Sequence, residues 1–391
     1  MNRKNNAEIP DRPSDPETLL SEIIPVWEKG SGTEFKGTFQ PIPELRNTDH
    51  ASTVYLTLPK IIYAMTGNET RIYFNNLVYC RKKSDLKFSA ECEIGTANDS
   101  YWSVRPESPG EYPLKISVED SAGRVVGTAE TVVRIAAAGN GNEQNIVVMI
   151  VGDSIMGNGK IADFLQENIK KNGNTNIRFM GSHSGNGAPL SIGKAAVEAY
   201  GGWCWGSFMT LWNPGNEYNK RTKFMKMENG QLVEAVQEYL DKYNQGKAPD
   251  IVIFSLGCND IACADMGTID NAIEKSVINR DKLLAMFRKV MPETLFGLVL
   301  LAPPNGRSQA FEINYKGAIS RNQYLFNQFF YIKRTLEDLE NSGECSLIPV
   351  YAGVDEFADY PEDNAVHPNE TGQKRFAEML ESWLKNLKYS S

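Results

Sequence analysis

Four short blocks of this chain carry side chains suited to acyl transfer. Gly152-Asp153-Ser154-Ile155 directly follows the apolar run Ile146 to Val151, which places Ser154 on an exposed strand-to-helix turn near the positive end of a helix. A serine hydroxyl attacks a carbonyl only when a base takes its proton, and histidine is the side chain poised to do so near neutral pH. The chain has three histidines: His50 in an N-terminal polar stretch, His183 after a second apolar run, and His367 in Val366-His367-Pro368 ahead of the last helical segment. His367 is the candidate base, and His183 reads as structural or merely polar. The negative oxygen formed during attack needs donors fixed in advance. The N–H groups of Ser154 and of Gly202, in Tyr200-Gly201-Gly202-Trp203, and the side-chain amide of Asn259, in Gly257-Cys258-Asn259-Asp260, can supply three.

Each block has a plainer reading. Ser154 suits a helix N-cap, Gly201-Gly202 a tight turn and Asn259-Asp260 a capping pair. Their shared position after buried runs favours the chemical reading. Around them, Asp153, Asp260, Trp203, Trp205, Asn305 and Arg307 are candidate substrate contacts. The two tryptophans serve equally as sugar-stacking or acyl-pocket surfaces and as core packing, because one flat apolar face does both. Arg321-Asn322-Gln323 reads as a solvated helix face. The glycines of Gly181-Ser-His-Ser-Gly-Asn-Gly187 lack the spacing of a dinucleotide-binding turn and open no clear helix.

The elements that must position these residues come in two textures. From 145 to 391, continuous apolar runs (Ile146–Val151, Ile177–Met180, Ile251–Leu256, Leu295–Ala302, Leu347–Val350) alternate with helical stripes. The stripes are Ile161 to Ile169, Leu232-Val233-Val236-Leu240-Tyr243, Ile269 to Met291, Ile319 to Leu339 and Gly372 to Leu387. Such alternation predicts a doubly wound parallel sheet with helices on both faces, whose ligands bind beyond the strands' carboxyl ends. From 53 to 136, short runs rich in Val, Ile, Thr and Tyr (Thr53–Thr57, Thr70–Tyr79, Leu86–Glu93, Tyr112–Val118, Val125–Ile135) predict a small β-sandwich. Its later part, with Tyr112 opening a strand that ends in Asp120-Ser-Ala-Gly123, resembles immunoglobulin-like modules. Residues 1 to 52, dotted with prolines, read as an arm, and Ala136 to Gln144 as an interdomain linker.

Ser154 in Gly-Asp-Ser, Gly202, Asn259 in Gly-x-Asn-Asp and His367 in Val-His-Pro, in that order, resemble the SGNH (GDSL-type) hydrolase superfamily over about residues 145 to 388. With its N-terminal β-domain and Tyr-Gly-Gly-Trp block, the chain is similar to a bacterial subgroup of that superfamily. The resemblance implies a flavodoxin-like three-layer α/β/α fold, esterase or lipase activity, often deacetylation of carbohydrates, and no metal or cofactor. It also implies an aspartate three residues before the histidine; here Asn364 stands there and Asp363 precedes it. Asp363 through a shifted loop, Asn364 without charge, or a main-chain carbonyl can orient the ring; Asp363 or a carbonyl is favoured. A weakened or inactive relative is a further reading.

The expected activity is hydrolysis of a short-chain acyl ester, foremost an O-acetyl group on a carbohydrate. The rivals are a non-catalytic carbohydrate binder on the same fold and a lipase or thioesterase for longer chains. With 41 basic and 49 acidic residues the formal charge is −8, which disfavours nucleic acid and anionic membranes as partners. No apolar run is long enough to span a bilayer. Six cysteines without a CxxC pair argue against both a disulfide framework and a zinc site; Cys80 and Cys92 can pair across a hairpin if the protein is exported. The polar start lacks a signal peptide, so the protein stays in the cytoplasm or has lost a leader. The alcohol half of the substrate and the oligomeric state are left open.

Overall fold

A computed structural model describes residues 54–80, 85–213 and 221–388; the expected arm at 1 to 52, with His50, lies outside them. Among the described residues no helix is long and apolar enough to cross a membrane.

The larger sheet has seven strands and is built on the apolar runs. Val147–Gly152 is its central strand, flanked on one side by Ile251–Ser255, then Leu295–Val299, then Ser346–Ile348, all parallel. On its other side the first half pairs with Arg178–Met180 and the end pairs with Ala196–Ala199, again parallel. His183–Ser184 closes that side, antiparallel to Ala196–Ala199. The three central strands are buried along almost their whole length, as expected where helices cover both faces. Lys160–Lys171 packs on Glu370–Lys385, while Ile269–Val290 packs on both Val236–Asn244 and Arg321–Leu339.

One expected helix is shorter than its stripe. Leu232 and Val233 lie in strand Gln231–Glu234, which pairs with Met225–Glu228. The turn between them is Asn229-Gly230, both at positive φ (50° and 81°), the pair that a tight hairpin demands. The helix Ser308–Tyr315 and the strand Ala196–Ala199 were not marked by any apolar periodicity.

The β-rich part forms two small antiparallel-dominated sheets and a separate two-stranded ladder. One has the order Ile61–Met65, Val125–Ala136, Gly110–Glu119, Lys87–Glu91, its first pair parallel. The other joins Thr70–Tyr73, Tyr101–Val104 and Thr96–Ala97. Alternate residues Leu114, Ile116 and Val118 are buried with Ile72, Trp102 and Val133. The expected strand Thr70–Tyr79 is interrupted: Phe74–Leu77 makes one helical turn that buries Phe74 and Leu77, and Val78–Tyr79 then pairs with Tyr55–Leu56. Cys80 and Cys92 accordingly follow strands of different sheets, and they form no disulfide.

The two parts meet along the Ser346–Ile348 side of the large sheet. Tyr63 Oη lies 3.0 Å from Ser346 Oγ, and Tyr79 packs on Phe326, Phe329 and Phe330 of Arg321–Leu339. The expected linker is pinned rather than loose. Lys385 Nζ donates to Asn140 O (3.1 Å) and Asn142 Oδ1 (2.6 Å), and Asn174 Nδ2 donates to Gly141 O (2.8 Å).

Candidate active site

Val147–Gly152 delivers Ser154 to the carboxyl edge of the sheet. A Cβ at Gly152 would lie 2.9 Å from that of Met156 and 3.3 Å from Ser255 O, so the sharp exit from the strand needs glycine. Asp153 caps the turn Ser154–Gly157: its Oδ1 accepts from Ile155 N at 2.9 Å. Its Oδ2 accepts from the Cys258 thiol at 2.9 Å, and the residue is 1% exposed. Burial pushes this carboxyl up to about 6, against its hydrogen bonds. Asp153 is therefore no substrate contact; it ties the serine turn to the Gly257–Asn259 turn from beneath.

His367 comes to the same place from the other end of the chain. Its Nε2 lies 2.8 Å from Ser154 Oγ, and its Nδ1 lies 3.1 Å from Asn364 Oδ1. That oxygen also accepts from the backbone N–H groups of Val366 (3.2 Å) and His367 (2.9 Å). Two fixed donors require an acceptor, so the amide must present its oxygen, not its NH2, to the ring. The ring then carries its hydrogen on Nδ1, leaving the Nε2 lone pair to accept from the serine hydroxyl. Burial holds the imidazole below its ordinary pKa, favouring the neutral, proton-accepting form. Asp363, the favoured helper, is exposed and makes no hydrogen bond to the ring. The reason is local: the turn back to the N–H groups two and three residues on is made by the side chain at 364, which leaves 363 pointing out.

Strand register sets the remaining candidates beside the serine. Gly152 pairs with Ala199 on one side and Ser255 on the other, so the turns at 200–202, 153–154 and 257–259 emerge from three adjacent strands. Tyr200 N donates to Gly152 O (3.0 Å). Gly202 is exposed at φ +76°, with open space where a side chain would stand. One hydrogen of the Asn259 amide goes to Trp203 O at 3.0 Å, which orients the group and links the two turns.

Four other candidate contacts face inward. Trp203 is 2% exposed, stacked on Tyr200 with centroids 4.1 Å apart and edge-on to Phe208. Trp205 is fully buried and donates from Nε1 to Tyr331 Oη at 2.9 Å. Both are core residues, packed among the rings of Tyr200, Phe208 and Phe254. Asp260 accepts from Trp205 N at 3.3 Å, and burial raises its carboxyl to about 7. Asn305 is fully buried; its amide donates to Pro361 O (2.7 Å) and Asn364 O (2.9 Å), and its N–H to Ala365 O (2.8 Å). It is a strut under the histidine segment. Arg307 donates to Phe357 O (2.9 Å) and lies over that ring, and Arg321 donates to Asn305 O (2.9 Å) and pairs with Glu356, so neither is simply solvated. His183 packs against Tyr200 at 5.1 Å, and burial drives its pKa down to about 4. Among the described residues no cluster of His, Cys, Asp and Glu could hold a metal ion.

No family model matches the chain, and no curated protein matches it. Solved structures similar to it include an acetyl esterase variant with acetate ion, at 19% identity, covering 61% of this chain and 96% of that one, with a TM-score of 0.37. A carbohydrate esterase of family 3 from Talaromyces cellulolyticus is 20% identical over 61% of this chain and 96% of its own (TM-score 0.37). A GDSL-like lipase from Parabacteroides merdae is 17% identical over 62% and 97% (TM-score 0.37).

Proposed function

We propose that this chain is a serine esterase of the SGNH (GDSL-type) kind, acting on a short acyl ester and foremost on O-acetyl groups of a carbohydrate. One observation carries the reading: Ser154 Oγ, His367 Nε2, His367 Nδ1 and Asn364 Oδ1 form a single hydrogen-bonded line, 2.8 Å and 3.1 Å at its two links. As His367 Nε2 takes the hydroxyl proton, Ser154 Oγ bonds to the ester carbonyl carbon. The carbonyl electrons collect on its oxygen, which the N–H groups of Ser154 and Gly202 and the second amide hydrogen of Asn259 cradle. When the intermediate collapses, the bond to the alcohol oxygen breaks and His367 returns the proton to that oxygen. A water, deprotonated by the same nitrogen, then releases the acid and restores the serine.

Leaving aside the short strands His183–Ser184 and Ala196–Ala199, the parallel strands around Val147–Gly152 run second, first, third, fourth, fifth in chain order, which supports a flavodoxin-like hydrolase domain over 145–391. The pairing of the β-rich part, with its first long strand parallel to its last, supports an immunoglobulin-like sandwich over 53–136. The preference for a carbohydrate ester rests on the resemblance of the four blocks, since Trp203 and Trp205 are core residues.

The test is turnover of 4-nitrophenyl acetate by the purified protein and by Ser154→Ala, with fluorophosphonate labelling read by intact mass. The expected result is loss of turnover and of labelling in the variant. Equal turnover by both proteins would refute the assignment, and an unlabelled wild-type protein would favour the non-catalytic rival. A chain-length series of esters separates acetyl from longer acyl groups.

A further inference from the structure

The segment that carries Asn364 and His367 runs from the helical turn Val350–Gly353 to Asn369, which caps Glu370–Lys385. From within the α/β part, Asn305, Arg307 and Arg321 support its middle, as described. Further polar contacts involve the β-rich part. At the segment's start, Asn76 donates both hydrogens of its amide, to Tyr351 O at 2.8 Å and Val354 O at 2.7 Å. Further along, Arg375 pairs at 2.7 Å with the fully buried Asp359. The carbonyl of Asp359 takes the N–H of Asn369 (2.9 Å), two residues beyond His367, and its carboxylate takes the N–H of Asp355 (2.7 Å). Arg375 also donates to Tyr73 Oη at 3.2 Å, and Arg71 donates to the same oxygen at 3.3 Å.

Tyr73 ends the strand Thr70–Tyr73, and Asn76 sits in the single helical turn that interrupts the expected long strand. Where Tyr79 meets the phenylalanines of Arg321–Leu339 the contact is apolar. At the histidine segment it is directional: hydrogen bonds to named carbonyls specify where a backbone lies, which non-directional apolar burial does not.

We propose that the β-rich part serves the esterase reaction by fixing the histidine segment, with Asn76 and Tyr73 as positioning residues for His367. The proposal rests on the reading of Ser154 and His367 as the reacting pair. Neither Asn76 nor Tyr73 touches substrate; each acts on the Nε2-to-Oγ distance through the backbone between Tyr351 and Asn369.

The test compares the full chain with Asn76→Ala, Tyr73→Phe and Tyr79→Leu, measuring kcat, KM and the pH profile on 4-nitrophenyl acetate alongside melting temperature. Tyr79→Leu weakens the apolar contact and serves as a control for lost stability. A misplacement well below 1 Å is expected to lower kcat about tenfold in Asn76→Ala and about threefold in Tyr73→Phe, with KM within about twofold of wild type. The acid limb of the profile should shift in both, because the ring's surroundings change, while Tyr79→Leu keeps kcat and limb. Unchanged kcat and limb in a folded Asn76→Ala protein would overturn the proposal, as would an equal loss of kcat in Tyr79→Leu. Should Asn76→Ala fail to fold, Tyr73→Phe decides: it loses one hydroxyl only, and unchanged kcat there overturns the proposal. Ser154→Ala keeps the two readings apart, since wild-type turnover in that variant would remove the reacting pair itself.

Discussion

Replacing Asn364 by aspartate tests the most unusual contact of the site. The side chains have the same shape, and the oxygen that faces His367 Nδ1 at 3.1 Å is already held by two backbone N–H groups. The change therefore adds charge without reorienting the ring. A hydrogen bond to a charged group contributes about 1.5–3 kcal/mol against about 1 for a neutral pair, leaving about 0.5–2 kcal/mol for the imidazolium that forms during reaction. At about 1.36 kcal/mol per decade, Asn364→Asp should raise kcat/KM about tenfold near neutral pH. In trypsin the opposite substitution, aspartate to asparagine, lowers kcat by about 10⁴, because there the amide enforces the wrong tautomer. Here the oxygen faces the ring, so the tautomer is already correct and the gain must be far smaller. The pH profile carries the sign. Burial holds His367 below its ordinary pKa; a carboxylate beside it stabilises the cation and raises that pKa, moving the acid limb of kcat/KM to higher pH. The assay is kcat/KM for 4-nitrophenyl acetate from acid to mildly alkaline pH. A gain as large as the loss in trypsin would mean that the amide turns its NH2 to the ring. No gain, or a limb moving to lower pH, would mean that Asn364 does not orient His367.

Removing the strut should loosen the same segment: Asn305→Ala deletes two buried donors and strands the carbonyls of Pro361 and Asn364, at a cost of about 2–4 kcal/mol in urea unfolding together with a fall in kcat. If stability and kcat both hold, the strut is dispensable. His183 predicts an acid limit to stability. Its folded pKa, about 4 against an ordinary 6.5, means that the unfolded chain binds the proton more readily. Its contribution is complete above about pH 6.5 and is lost as pH falls towards 4, up to about 3 kcal/mol. His183→Gln should flatten the fall in urea midpoint over that window; an unchanged slope would exclude His183 as its source.

How much of this was legible in the chain follows from which interactions are local. The strands around Ser154 are readable because burial on both faces leaves long apolar runs, and the residues after each run stand at the edge where ligands bind. Asn364 against Asp363 was not readable, because the choice depends on which side chain turns back onto the N–H groups of Val366 and His367. Asn305 looked like a substrate contact because its partners, 56 and 59 residues away, leave no trace in the residues around it. Trp203 and Trp205 have no helical period, and partners distant in the chain, such as Phe254 and Tyr331 for Trp205, are invisible in the residues around them. The hairpin at Asn229-Gly230 was legible in its turn pair, but the apolar spacing of Leu232 and Val233 mimicked the first turn of the helix that follows.

Ser346–Ile348 ends the order of the large sheet, and Tyr63, Tyr55 and Tyr79 lie against it and the neighbouring helix. An outermost strand left bare is a template for another molecule's strand, and a row of uncovered phenylalanine rings invites the same misassociation. Excising the hydrolytic half for engineering, by starting a recombinant chain near residue 145, would uncover both at once. The practical unit for expression, crystallisation or directed evolution is therefore the two halves together.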